Sequence, residues 1–145
     1  MMQLDEHDLQ AILEDHNGRM ARFGVMDAPD RHALGYNPVC GDRYDVFVRL
    51  SEDGQQVEDV HFHGFGCVIS RASASMMAES LIGLSPGVAA DHIKTVVQVL
   101  EGSLADLEGL HADLIALVGV RRYPMRMKCV LLAWNAAREA LRSAD

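Results

Sequence analysis

The stretch Arg43-Tyr44-Asp45-Val46-Phe47-Val48-Arg49-Leu50, with Asp53-Gly54 and then Asp59-Val60-His61-Phe62-His63 behind it, decides the fold. Tyr44, Val46, Val48 and Leu50 alternate with Arg43, Asp45, Phe47 and Arg49. One face is therefore apolar and the other mostly polar, the period of a half-buried strand. Asp53-Gly54 supplies a turn. Val60 and Phe62 then resume the inward positions between Asp59, His61 and His63, which completes a hairpin. A third short strand either precedes Cys67 or lies in the segment before Pro38; the sequence leaves both open.

Outward from the hairpin, the signals change. Upstream, Leu9, Ile12 and Leu13 with Ala11 carry helical spacing from Asp5 to about Gly18, and Asn17-Gly18 is a stop. From there to Pro38 the text is irregular, punctuated by Gly24, Pro29 and Gly35, and reads as a long loop of the kind that is functional or mobile. Downstream, Ile69, Ala72, Met76, Ala78 and Leu81 mark a helix from Val68 to Ile82. Ser85-Pro86 restarts a second helix with a capping serine and a proline at its first position. Val88, His92, Val96 and Val99 continue that helix to Gly102. A short Leu-rich helix spans about Leu110 to Val118, and a last one starts near Pro124 with Val130, Trp134, Ala137 and Leu141 on one stripe. The reading is an α+β domain, a small antiparallel sheet packed against helices.

At 145 residues the chain is expected to be one domain, 1–145, large enough to bury a core without a staple. Its 13 basic against 21 acidic residues give a formal charge of −8, which repels phosphate backbones and argues against a nucleic-acid partner. The longest apolar runs, such as Val130–Trp134, are far too short for a bilayer, so no membrane partner is expected. The N-terminus Met1-Met2-Gln3-Leu4-Asp5-Glu6 lacks the apolar core of a secretion signal, and the expected location is the cytoplasm. Three cysteines in a reducing compartment point to metal binding or thiol chemistry rather than to disulfides.

Each cysteine has a distinctive setting. Cys40 lies in Asn37-Pro38-Val39-Cys40-Gly41-Asp42, where a thiol and a carboxylate two residues apart can converge on one cation. Cys67 follows Gly64-Phe65-Gly66 where strand gives way to helix, and the amides and dipole there favour thiolate. Cys129 sits in Arg126-Met127-Lys128-Cys129, and two cationic neighbours also favour thiolate. Together these three sulfurs and Asp42 would make a tetrahedral set suited to zinc. Four anionic ligands would overbalance a divalent ion, so Arg71, Arg126 and Lys128 would be needed to offset them. Read singly, each cysteine is more often an inert small hydrophobe of the core.

Taken together, Asn37–Asp42, Gly64–Ser75 and Arg126–Trp134 resemble three ordered motifs of the iron–sulfur assembly proteins of the NifU N-terminal, IscU and SufU group. The resemblance covers about Leu9 to Leu141 and implies the SufE/NifU (IscU-like) fold. It is closest to the SufU branch: IscU-like chains carry a histidine immediately before the last cysteine, where Lys128 stands here. The stretch between Cys67 and Cys129 is also longer, with Pro86–Val120 as the excess. After His16 the usual Asn-Pro-Arg-Asn type segment is replaced by Asn17-Gly18-Arg19-Met20.

The resemblance implies zinc ligands at Cys40, Asp42, Cys67 and Cys129. It implies that Cys40 accepts persulfide sulfur from a SufS-type cysteine desulfurase, with a desulfurase histidine taking over a zinc position. It also implies a docking role for Arg126, and the basic run of Arg121, Arg122 and Lys128 beside Cys129 reads either as part of that patch or as a solvated face. The alternative function is a scaffold that assembles a [2Fe–2S] cluster, or holds iron, on the same ligands and passes it to downstream acceptor proteins. Lys128 in place of histidine favours the zinc reading. A remote third is a Cys-His-Asp hydrolase with Cys40 or Cys67 as nucleophile and His61 or His63 as base. Those histidines share a strand face and could bind a metal; the simpler account points both at solvent. Ser70, Ser73 and Ser75 are expected to cap and line the helix after Cys67, and Met76-Met77 to fill the core.

Overall fold

The computed structural model describes residues 6–19, 21–102, 114 and 117–142. In chain order the elements are α1 (Glu6–Asn17), β1 (Arg31–Tyr36), β2 (Arg43–Leu50), β3 (Val57–Phe65), α2 (Val68–Leu81), α3 (Pro86–Leu100), a 3-10 turn (Gly119–Arg122) and α4 (Pro124–Arg142). The strands form an antiparallel sheet in the order β1-β2-β3. In the hairpin Val46 pairs with Phe62 and Val48 with Val60. All four side chains are buried together with Tyr44, as the alternation requires. Ser51 and Gln56 close the connection through a 2.8 Å bond from the Ser51 N–H to the Gln56 carbonyl.

The third strand lies inside the segment read as a long loop. Its inward positions are Arg31, Ala33 and Gly35, and its outward ones His32, Leu34 and Tyr36. This reverses the usual size pattern, because α4 lies directly over the strand. A Cβ at Gly35 would meet the Leu132 carbonyl at 3.0 Å and the Ala136 methyl at 3.2 Å. Ala33 and Gly35 are small on the inward face while Leu34 and Tyr36 face out, so no apolar alternation marks the strand. Ahead of it, Arg22–Gly24 runs along the free edge of β3: the Phe62 N–H reaches the Arg22 carbonyl at 3.0 Å, and the Gly24 N–H reaches the Phe62 carbonyl at 2.8 Å.

Two further expectations are corrected. Phe47, assigned to the polar face, is buried, with the His32 ring stacked on it at 4.7 Å. In α3 the Ser85 hydroxyl caps the Val88 N–H as anticipated, but Val88 itself is exposed. The buried residues are Ala89, Ile93, Val96, Val97, Val99 and Leu100, so Val96 and Val99 are buried as expected. Most of the short helix read over Leu110–Val118 falls outside the described residues; Leu114 and Leu117 are buried.

Helix α4 is the centre of the packing and touches β1, β2, α2 and α3. Trp134 is fully buried on it with Val130 and Ala137, the stripe the sequence marked. The serines of α2 do more than line a helix. Ser73 accepts the Trp134 indole N–H at 2.8 Å and donates to the Val130 carbonyl at 2.8 Å. Ser75 lies 3.1 Å from His16 Nδ1, which ties α1 to α2 in a buried contact. Buried polar groups are thus spent on joining helices. Met76 and Met77 fill the core as expected.

Candidate metal centre

Three elements converge at one end of the sheet. The turn after β1 carries Cys40 and Asp42, the residue before α2 is Cys67, and the second turn of α4 carries Cys129. Asn37 organises the turn. Its side-chain oxygen accepts the Val39 N–H at 3.0 Å, its carbonyl accepts the Gly41 N–H at 2.8 Å, and its own N–H reaches the Asp42 carbonyl at 2.9 Å. Its amide nitrogen then lies 4.0 Å from Cys129 Sγ. Asn37 belongs to the motif around Cys40, but sequence alone assigns it no role. Asparagine before a proline-containing turn is the signal that could have found it.

The ligand atoms of Cys40, Asp42 and Cys129 all lie within 4.8 Å of one another, and the two sulfurs are 3.0 Å apart. Cys40 is exposed, whereas Asp42 and Cys129 are buried at 7% and 5% exposure. Cys67 borders the same cavity of about 360 Å³ but does not join the tight group. Its place is set by Gly66, where a Cβ would meet Ser70 Oγ at 2.3 Å, the Tyr44 hydroxyl at 2.8 Å and Asp42 Cγ at 3.0 Å. Only a residue without a side chain lets the chain pass this close to the carboxylate. Arg126 and Lys128 line the cavity from α4.

The donor set fits a divalent, thiophilic ion. Asp42 Oδ2 is buried and has no hydrogen-bond partner among the described residues, a costly position for a carboxylate oxygen unless a cation meets it. Soft sulfur with one carboxylate suits zinc, and iron is compatible with the same atoms.

The electrostatics of Cys129 differ from expectation. Burial first, then the Cys40 contact and the Asp42 carboxylate, push its thiol well above the usual range. The nearby cations Arg126 and Lys128 are exposed on the surface, and solvent weakens their effect on a buried sulfur. Without a cation at the sulfur this thiol therefore rests protonated.

His61 and His63 lie elsewhere. His61 is half-buried and sits 3.1 Å from Asp59 Oδ2, so the simple solvent-facing account holds only for His63, whose ring lies 5.3 Å from Phe23. Among the described residues lining the cavity there is no histidine, which removes the base that the hydrolase reading needs. Arg71, expected to offset ligand charge, sits over the Phe23 ring at 4.5 Å.

An α+β fold with a cysteine–aspartate–cysteine group at the sheet end defines a class of small thiol-bearing proteins whose clustered ligands could hold a metal ion. The chain belongs to the family of the NifU-like N-terminal domain, whose model matches residues 11–143. It is 41% identical to the iron–sulfur cluster assembly scaffold protein IscU of Streptococcus pyogenes serotype M1, covering 96% of this chain and 86% of that one. It is 39% identical to the zinc-dependent sulfurtransferase SufU of Bacillus subtilis strain 168, covering 86% of this chain and 83% of that one. Among solved structures it resembles a protein from Fervidobacterium islandicum AW-1 assigned as an iron–sulfur cluster assembly scaffold for the SUF system. The TM-score is 0.84 at 30% identity, over 94% of this chain and 99% of the other. The expected family and fold are thereby borne out.

Proposed function

We propose that the protein serves iron–sulfur cluster assembly as a zinc-dependent acceptor of persulfide sulfur. Cys40, Asp42, Cys67 and Cys129 would hold the ion, which supplies charge to keep the sulfurs as thiolates until a partner engages them. The observation that carries the reading is the contrast within the group: Cys40 is exposed on a turn while Asp42 and Cys129 are buried. Cys40 is the most exposed of the three cysteines and so the one best placed to meet a partner protein.

In the reaction, the Cys40 thiolate attacks the terminal sulfur of a persulfide on a cysteine desulfurase, proposed to be of the SufS type. The new S–S bond forms on Cys40, the bond to the desulfurase sulfur breaks, and that cysteine leaves as a thiolate. Arg126 and Lys128 line the cavity beside Cys40 and are the proposed docking charges, suited to an acidic partner surface. The sulfur would then pass to a downstream scaffold or acceptor protein, in the cytoplasm. No described helix is long and apolar enough to cross a membrane.

The test is metal analysis with a desulfurase assay. The purified chain is expected to be colourless, to carry about one zinc per chain, and to stimulate the desulfurase. Cys40→Ala should abolish that stimulation. A visible charge-transfer spectrum after anaerobic iron and sulfide, with no stimulation, would favour the [2Fe–2S] scaffold reading, which the same sulfur and carboxylate ligands also support.

A further inference from the structure

We infer that Cys129 is a resolving thiol: it attacks Cys40 once that residue carries a persulfide, and so releases inorganic sulfide. The inference rests on the persulfide-acceptor reading but concerns a step beyond it. Cys129 Sγ lies 3.0 Å from Cys40 Sγ. That is within the roughly 3–3.5 Å separation from which bond formation proceeds without further diffusion. Cys67 does not share this contact, although it borders the same cavity.

The step balances within the chain. Cys129 sulfur bonds to the inner sulfur of the Cys40 persulfide, the bond between the inner and outer sulfurs breaks, and the outer sulfur leaves with the electron pair. The Cys129 proton departs on it, so that a thiol and a persulfide anion become a disulfide and hydrosulfide. The two thiol sulfurs are oxidised and the sulfane sulfur is reduced to sulfide, with no outside reductant. The Asp42 carboxylate, within 4.8 Å of both sulfurs, is the acceptor through which the proton passes. The anionic leaving group emerges into a cavity bordered by Arg126 and Lys128. An ion held by Cys129 ties up the lone pair that must attack, so a zinc-loaded chain keeps its persulfide and a metal-free chain discharges it.

The experiment charges the full chain with sodium tetrasulfide under anaerobic conditions, desalts it, and follows free sulfide and intact mass. Metal-free wild type is expected to release sulfide and end two hydrogens lighter than the reduced chain, with a Cys40–Cys129 disulfide in the peptide map. Cys129→Ser and the zinc-loaded wild type should both hold the added sulfur about tenfold longer or more; the zinc arm needs no substitution. Equal sulfide release from metal-free wild type and Cys129→Ser, a Cys40–Cys67 disulfide, or migration of the intact persulfide to Cys129 would overturn the inference. A parallel charge by a cysteine desulfurase reads the acceptor role by itself. Failure there, with Cys129-dependent release after tetrasulfide, would remove the acceptor reading and leave this step standing.

Discussion

The Trp134 indole donates its N–H to the Ser73 hydroxyl at 2.8 Å, and Ser73 donates onward to the Val130 carbonyl at 2.8 Å. This buried relay joins α2 to α4, the helix that carries Cys129. Ser73→Ala leaves the indole N–H without a partner inside the core. The expected loss is about 1–3 kcal/mol of unfolding free energy, measured by urea denaturation of the metal-free chain. A change near zero would mean that the relay is dispensable.

Asp42→Ala separates stability from metal binding. In the metal-free chain the buried carboxylate oxygen has no partner among the described residues, so its removal is expected to leave the melting midpoint unchanged or raised. Zinc should stabilise wild type by about 3 kcal/mol at a hundredfold excess over its Kd, and should fail to do so in the variant. Thermal melts with and without zinc test both halves. Equal zinc stabilisation in the two proteins would remove Asp42 from the ligand set.

His92 makes stability depend on pH. Its ring lies 6.1 Å from Trp134, its Nε2 has no partner among the described residues, and burial holds its pKa below the ordinary 6.5. As pH falls through 6.5 the unfolded chain takes up the proton first, so stability is present above that value and is lost toward the lower folded one. The melting midpoint of His92→Phe should fall less over this window than that of wild type. Parallel curves would rule His92 out as the source.

Charge reversal at Arg126 tests docking. Arg126→Glu is expected to raise the apparent KM of the desulfurase for this chain on the order of tenfold, with a weaker salt dependence. Zinc content should not change. A fall in the maximal rate at unchanged KM would assign Arg126 to the chemistry instead.

Much of the fold was legible because local patterns and tertiary packing agree. Tyr44, Val46, Val48, Val60 and Phe62 alternate and are buried; Ser85-Pro86 caps a helix; Trp134 and its stripe face the core. The strand β1 was illegible because Gly35 and Ala33 are small for the sake of α4, and nothing in the strand itself announces that helix. The buried roles of Ser73, Ser75 and His16 were hidden for the same reason: their partners are on other helices.

Local text determined which residue types were available for chemistry: three cysteines and an aspartate, each beside a turn, a strand end or a helix start. Only the folded chain decided which of them meet. Cys40 and Cys129 are 89 residues apart in the chain and 3.0 Å apart in space, while Cys67 stands just outside the tight group. Side-chain periodicity reports the face a residue occupies on its own element. Distances between elements follow from how helix and sheet faces pack, and that is a property of the whole core.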